Sequence, residues 1–310
     1  MRAAQISHYG GPDVMRTVAN APKPEAAAGQ VLVAVSAAGV NPFDWKVRDG
    51  LMQQMAALQF PATLGGDFAG EVVALGKGVT GVHVGDAVYG QANALSGQGS
   101  FAEYSVVKAS QLAPKPQTLD FIQAASLPLA SVSAYQALVD RMNLHAGQKI
   151  LVHGAGGGIG SLAVQLAKHL DAHVAATASA TDADFVKELG AQEVIDYRTQ
   201  DFAALLKEYD AVFDTVGGDT NTRSYAVLKP GGILVSMAAQ PDERLVRQHN
   251  ITYTHQVTRV TPERLRAITE LVNGGALRPL VDKVFPLEKA AEALEYQKTA
   301  HPRGKVVIQI

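Results

Sequence analysis

Apolar positions change their spacing twice along this chain, and each change predicts a change of architecture. Through the first hundred or so residues they come in short runs, 2–7, 30–39, 70–76, 86–89 and 100–107, bounded by Gly, Pro, Asn or Asp. Such runs predict strands separated by turns, hence a β-rich domain. From about Phe121 the rhythm becomes strand–helix alternation: a helix over 124–141, then segments at 149–153, 183–189, 193–197, 202–208, 211–214, 222–228, 232–236 and 251–256, and a helix over 262–273. That alternation predicts a parallel sheet with helices on both faces. After Gly274 and Gly275 it changes again, to a helix opened by Pro286 (286–297) and a terminal strand at 305–310. The tail is expected to return to the β-rich domain.

The segment KILVHGAGGGIGSLAVQLAKHL, 149–170, carries the clearest chemistry. A buried-strand pattern breaks into glycines and resumes as a helix, with Ile159, Leu162, Ala163, Leu166, Ala167 and Leu170 on one face. The loop Ala155, Gly156, Gly157, Gly158, Ile159, Gly160 fits Gly-x-Gly-x-x-Gly with Ala155 in the first place. Here Gly157 would let backbone approach a pyrophosphate and Gly160 would let the helix pack on the strand, while the helix N-terminus supplies N–H groups. A ligand-free glycine turn is the alternative. At the end of the next strand, 173–177, no acidic residue awaits a ribose 2′-hydroxyl; Ala178, Ser179, Ala180 and Thr181 leave room for a 2′-phosphate. NADPH is therefore the expected cofactor. Tyr197 and Arg198 are candidate partners for that phosphate, Arg198 being equally readable as a solvated charge.

Composition narrows the classes. The 310 residues are 47% hydrophobic and 18% charged, with a formal charge of −2 and no cysteine. A large core in two domains is affordable, disulfides and thiolate metal sites are excluded, and nothing basic enough for nucleic acid stands out. Arginines at 244, 247, 259, 264 and 266 are largely offset by Asp242, Glu243 and Glu263. No signal-like or membrane-spanning apolar run is present, so a cytoplasmic protein without membrane association is expected.

Several segments together resemble the medium-chain dehydrogenase/reductase superfamily, and within it the zinc-free quinone and enone reductases related to ζ-crystallin. They are GVNPFDWKVRDG (39–50), PATLGGDFAGE (61–71), VGDAVYG (84–90), SFAEY (100–104), LPLASVSAY (127–135), the glycine loop and GKVV (304–307). The resemblance implies an α/β chain: a discontinuous GroES-like catalytic domain (1–120 and 276–310) and a Rossmann-type doubly wound domain (121–275), with NADPH in the cleft between them and a homodimer. It also implies cofactor contacts at Thr215, Val216 and Ala238. Where zinc-dependent relatives carry Cys and His ligands, this chain has Asn41 and Gly66, so zinc catalysis is not expected. His169 and His173, four apart, read as a surface pair.

Without a Lewis acid, the implied reaction is hydride transfer to a quinone or an α,β-unsaturated carbonyl, whose oxygen takes up the charge. Candidate donors to that oxygen, by the resemblance, are Asn41, Lys46 and Ser133. Asn41 could instead shape the turn before Pro42, Ser133 could cap a helix, and Lys46 could be a solvated lysine. The Trp45-Lys46 pair resembles plant-type 2-alkenal and oxoene reductases and favours enones. Asp44 and Arg48 suggest an ion pair or turn support. Trp45, Met52 and Met55 are candidate walls of a small-molecule pocket, or plain core. The alternatives are a non-catalytic NADPH-binding redox sensor or interaction protein, and an enoyl-thioester reductase.

Overall fold

The computed structural model describes residues 1–310 and divides into two compact units, Met1–Leu129 with Val260–Gly274 and Pro279–Ile310, and Ala130–Arg259 with Gly275–Arg278. The first is β-rich. Strands Gln30–Val40, Asp67–Leu75, Ala87–Gln91, Tyr104–Lys108 and Leu112–Pro114 pair antiparallel, and the terminal strand Lys305–Gln309 lies antiparallel along Gln30–Val40. Val31, Val33, Val35, Phe68, Val72 and Val88 bury one face of this sheet. The other face, with Ala38, Val40, Val306 and Ile308, joins a core that includes Phe101, Phe285 and Leu294.

The register of the central strand decides the site. Gly39 pairs with Asp67 and Val40 with Val306, so the strand end at Asn41 meets both Asp67 and Lys305. Asn41 then starts the helix Pro42–Arg48, with Pro42 at the first helical position, where a missing N–H costs nothing.

The second unit is the expected parallel sheet. Its strands run in the order Glu193–Asp196, His173–Ala178, Lys149–Val152, Tyr209–Asp214, Leu228–Ser236, Thr252–His255, all parallel. In chain order this is 3-2-1-4-5-6, the doubly wound dinucleotide-binding arrangement, whose direction reverses between Lys149–Val152 and Tyr209–Asp214. The helix Gly158–His169 buries Leu162, Ala163, Val164, Leu166 and Ala167.

Three expectations need correcting. The helix over 124–141 is three pieces, Phe121–Ala125, Pro128–Tyr135 and a π-helical Gln136–Arg141, because Pro128 has no N–H to continue the first. Pro286 ends a strand, extended and paired with Gln309, and caps the 3-10 turn Leu287–Lys289, so the α-helix itself starts later than expected and runs Ala290–Thr299. The helix Pro262–Asn273 groups with the β-rich unit, not with residues 121–275, since Tyr89 Oη donates to Leu265 O at 2.6 Å.

Candidate active site

In the β-rich unit, Asn41 is buried at the centre of a charged network. Its Nδ2 donates to Asp67 Oδ2 at 2.9 Å, its Oδ1 accepts from the Lys305 ammonium, and its backbone N–H donates to Asp44 Oδ2 at 2.7 Å. Lys305 Nζ also donates to Val40 O at 2.8 Å, and Asp67 accepts from Leu129 N at 3.1 Å. With an ammonium on its oxygen and a carboxylate on its nitrogen, the Asn41 amide has one orientation. Burial pushes the Asp44 carboxyl up to about 7, and raises Asp67, although Lys305 opposes both shifts. Lys305 is itself lowered by burial, against the pull of Asp67 and then Asp44.

This donor set suits organic chemistry better than a cation. The Asn41 carboxamide oxygen already faces an ammonium, and Gly66 offers no side chain. Of the two roles expected for Asp44 and Arg48, turn support is seen and a mutual ion pair is not. Asp44 supports the turn at Asn41, while buried Arg48 pairs with Asp49 at 2.7 Å and Glu295 at 2.6 Å, the partners its direction along the helix allows. His173 pairs with Glu193 at 2.7 Å.

The other expected residues of this unit are dispersed. Lys46 is exposed, its ammonium 5.6 Å from the centre of the Trp45 ring. Trp45 and Met52 pack against the core beside Val47 and Leu58, and Trp45 Nε1 is buried without a partner. Met55 is 66% exposed. A cavity of about 390 Å³ in this unit, lined by Pro12, Phe285, Glu295 and Tyr296, holds none of the three.

The parallel unit carries the cofactor elements. Gly154 has φ +71°, and a Cβ on Gly160 would fall on the Gly154 carbonyl and 2.8 Å from Ala155 Cα, so only glycine lets helix and turn approach this closely. Gly157 is the N-cap and offers no side-chain cap, leaving the first-turn N–H groups of Gly158, Ile159 and Gly160 for an outside acceptor. A Cβ at Gly157 would have only Gly154 O near it, at 3.5 Å. This open cradle fits a pyrophosphate.

Its scaffold is a set of satisfied buried polar groups. His153 Nδ1 lies 3.0 Å from Thr177 Oγ1 and Nε2 2.9 Å from Ser224 Oγ; Ser224 Oγ donates onward to Thr220 O, which assigns the proton to Nε2. Burial pushes this imidazole down to about 4 despite nearby Asp214, which keeps it neutral as a loop-orienting group. Asp214 accepts from Val216 N, Gly217 N, Asn221 Nδ2 and Ser236 Oγ at 2.8–2.9 Å. These bonds hold Thr215 and Val216 at the strand end, where Thr215 Oγ1 donates to His153 O and Val216 is exposed. Ala238 follows the next strand, its N–H on Ser236 Oγ at 3.1 Å. Ser133 is inside Pro128–Tyr135, not a cap, with its hydroxyl 2.6 Å from Thr258 Oγ1.

Sequence reasoning missed Lys305 and Asp67 as site groups, though both fall in the segments quoted above. It also missed Asp182, whose carboxylate lies beside Ser179 and Gly156.

Comparison with known proteins adds an independent line. Residues 27–117 match the alcohol dehydrogenase GroES-like domain family and 189–308 the zinc-binding dehydrogenase family. The chain is 38% identical, over 99% of its length and 79% of the relative's, to the chloroplastic NADPH-dependent alkenal/one oxidoreductase of Arabidopsis thaliana. Solved structures that share its fold include two quinone oxidoreductases. The quinone oxidoreductase of Coxiella burnetii has a TM-score of 0.92 and 35% identity, covering 100% of this chain and 99% of that one. The Escherichia coli quinone oxidoreductase complexed with NADPH has a TM-score of 0.90 and 27% identity over the full length of both.

Proposed function

Because the chain belongs to the zinc-free quinone and enone reductases of the medium-chain dehydrogenase/reductase superfamily, we propose that it reduces an α,β-unsaturated carbonyl or a quinone with NADPH. The observation that carries this reading is the glycine cradle, built at the end of the first strand of a 3-2-1-4-5-6 sheet, open at Gly157 and closely packed at Gly160. The loop Ala155 to Gly160 cradles the pyrophosphate, through the N–H groups of Gly158, Ile159 and Gly160, Thr215, Val216 and Ala238 flank the nicotinamide side, and Ser179, Tyr197 and Arg198 surround the adenosine ribose. NADPH supplies the hydride.

The chain's own contribution is orientation and donation. Asn41 Nδ2 keeps a second hydrogen beyond the one given to Asp67, and this N–H meets the oxygen of the acceptor as negative charge develops there. Lys46, on the same short helix, adds an exposed ammonium. The Trp45-Lys46 pair favours enones over quinones. Our reading also has the protein act as a cytoplasmic homodimer. Purified protein incubated with NADPH and a panel of enones, 2-alkenals and quinones tests it: consumption of NADPH with at least one acceptor is expected, and none with any of them would refute it.

A further inference from the structure

Rossmann units sort their cofactors at the end of the second strand, where a carboxylate accepts from the ribose 2′-hydroxyl of NAD or a cation meets the 2′-phosphate of NADP. In this chain the strand itself, His173–Ala178, ends without an acid, but the 3-10 turn Ala180–Asp182 brings one back. Asp182 lies 22 positions beyond Gly160. A Cβ placed on Gly156 of the glycine loop would be 3.3 Å from Asp182 Oδ2, so the carboxylate borders the cradle.

Asp182 also occupies the group that would otherwise serve a phosphate. Ser179 Oγ donates to Asp182 Oδ2 at 2.7 Å, with Thr181 Oγ1 2.8 Å away. A hydroxyl has one hydrogen, and here the carboxylate takes it. On the neighbouring strand the parallel register Ala178–Asp196 sets Tyr197 and Arg198 beside this turn, with Tyr197 N donating to Ala178 O at 3.2 Å. Arg198 is held charged chiefly by Tyr197 and further by Asp196 and Asp182. One strand end thus offers an anion suited to a hydroxyl pair, and the next offers a cation suited to a phosphate.

We propose that Asp182 is a cofactor-selectivity residue that opposes the 2′-phosphate, so that the chain binds NADH as well as NADPH and prefers NADPH only moderately, through Arg198. This rests on the reading that a nicotinamide dinucleotide occupies the glycine cradle. The penalty has two parts: repulsion between carboxylate and phosphate dianion at the surface, and the loss of the Ser179 donor. The first is screened by salt and the second is not.

The test is a fluorescence titration of NADPH and NADH against the wild type, Asp182→Asn, Asp182→Ala, Arg198→Gln and, as a control for general charge, Asp184→Asn, an exposed carboxylate in the first turn of the helix Ala183–Leu189. The ratio of NADH to NADPH dissociation constants in the wild type is expected below about 30. Asp182→Asn, which removes the charge, should tighten NADPH about tenfold at low salt and leave NADH within about threefold. Asp182→Ala should retain part of its gain at high salt because Ser179 is freed, and Arg198→Gln should weaken NADPH alone. An unchanged ratio in both Asp182 variants, or an equal gain in Asp184→Asn, overturns the proposal while NADPH binding itself stands. A wild type that binds neither dinucleotide refutes the underlying reading instead.

Discussion

The ammonium of Lys305 reaches the carboxylate of Asp67 through the side chain of Asn41, which accepts from the one and donates to the other. A buried amide clamped this way cannot flip, so the network fixes which of its atoms would face an acceptor in the proposed reaction. Two carboxylates and one ammonium share the enclosure, and removing the ammonium leaves both carboxylates uncompensated.

Lys305→Met should therefore lower the melting temperature by about 5 °C at pH 8, as expected when one partner leaves a buried ionic network. Lys305→Met with Asp67→Asn should recover at least half of that loss, because one of the two carboxylates left behind is neutralised. Differential scanning calorimetry decides it. A single variant as stable as the wild type would mean that the ammonium balances nothing there.

Two buried groups pull the pH profile in opposite directions. Asp44 rises from 3.8 to about 7, so between about pH 4 and 7 the folded state keeps a proton that the unfolded chain has lost, and stability falls as pH rises. His153 falls from 6.5 to about 4, so the unfolded chain takes up a proton first and stability falls as pH drops from 6.5. The melting temperature of the wild type minus that of Asp44→Asn should shrink from pH 4.5 to 7.5. A flat difference would show that Asp44 is not held protonated by the fold.

Gly157 and Gly160 separate binding from folding. Alanine at Gly157 has room in the protein, so Gly157→Ala should melt within about 2 °C of the wild type yet bind NADPH about tenfold more weakly, its methyl standing where the pyrophosphate approaches. Gly160→Ala drives a methyl into the Gly154 carbonyl and should lose both stability and binding. Titration and thermal melts of the pair check this. Unaltered affinity in Gly157→Ala would place the phosphates elsewhere.

Lys46 lies outside the buried network, with its exposed ammonium 5.6 Å from the centre of the Trp45 ring. Lys46→Met should reduce kcat with an enone by roughly tenfold while leaving NADPH affinity unchanged, the pattern of a group acting on developing charge. Steady-state kinetics beside a binding titration measures both. Undiminished turnover would remove Lys46 from the chemistry.

What could be read from the sequence was what is local. Strand, glycine loop and helix are contiguous, and the helix expected over 262–273 is found as Pro262–Asn273. The Asn41 network was not legible, because Asp67 is 26 and Lys305 264 positions away and only sheet register joins them. Ser133 likewise meets Thr258, 125 positions on. Asp182 escaped for a different reason: it stands in a turn past the strand end, where the strand-based rule does not look.

The most direct test of the account is one titration followed by one addition. Nicotinamide fluorescence should report saturable binding of NADPH to the purified protein, and methyl vinyl ketone or 9,10-phenanthrenequinone added to that complex should then discharge the signal as the cofactor is oxidised. Saturable binding with no oxidation by either acceptor, at any acceptor concentration, would contradict the proposed reaction.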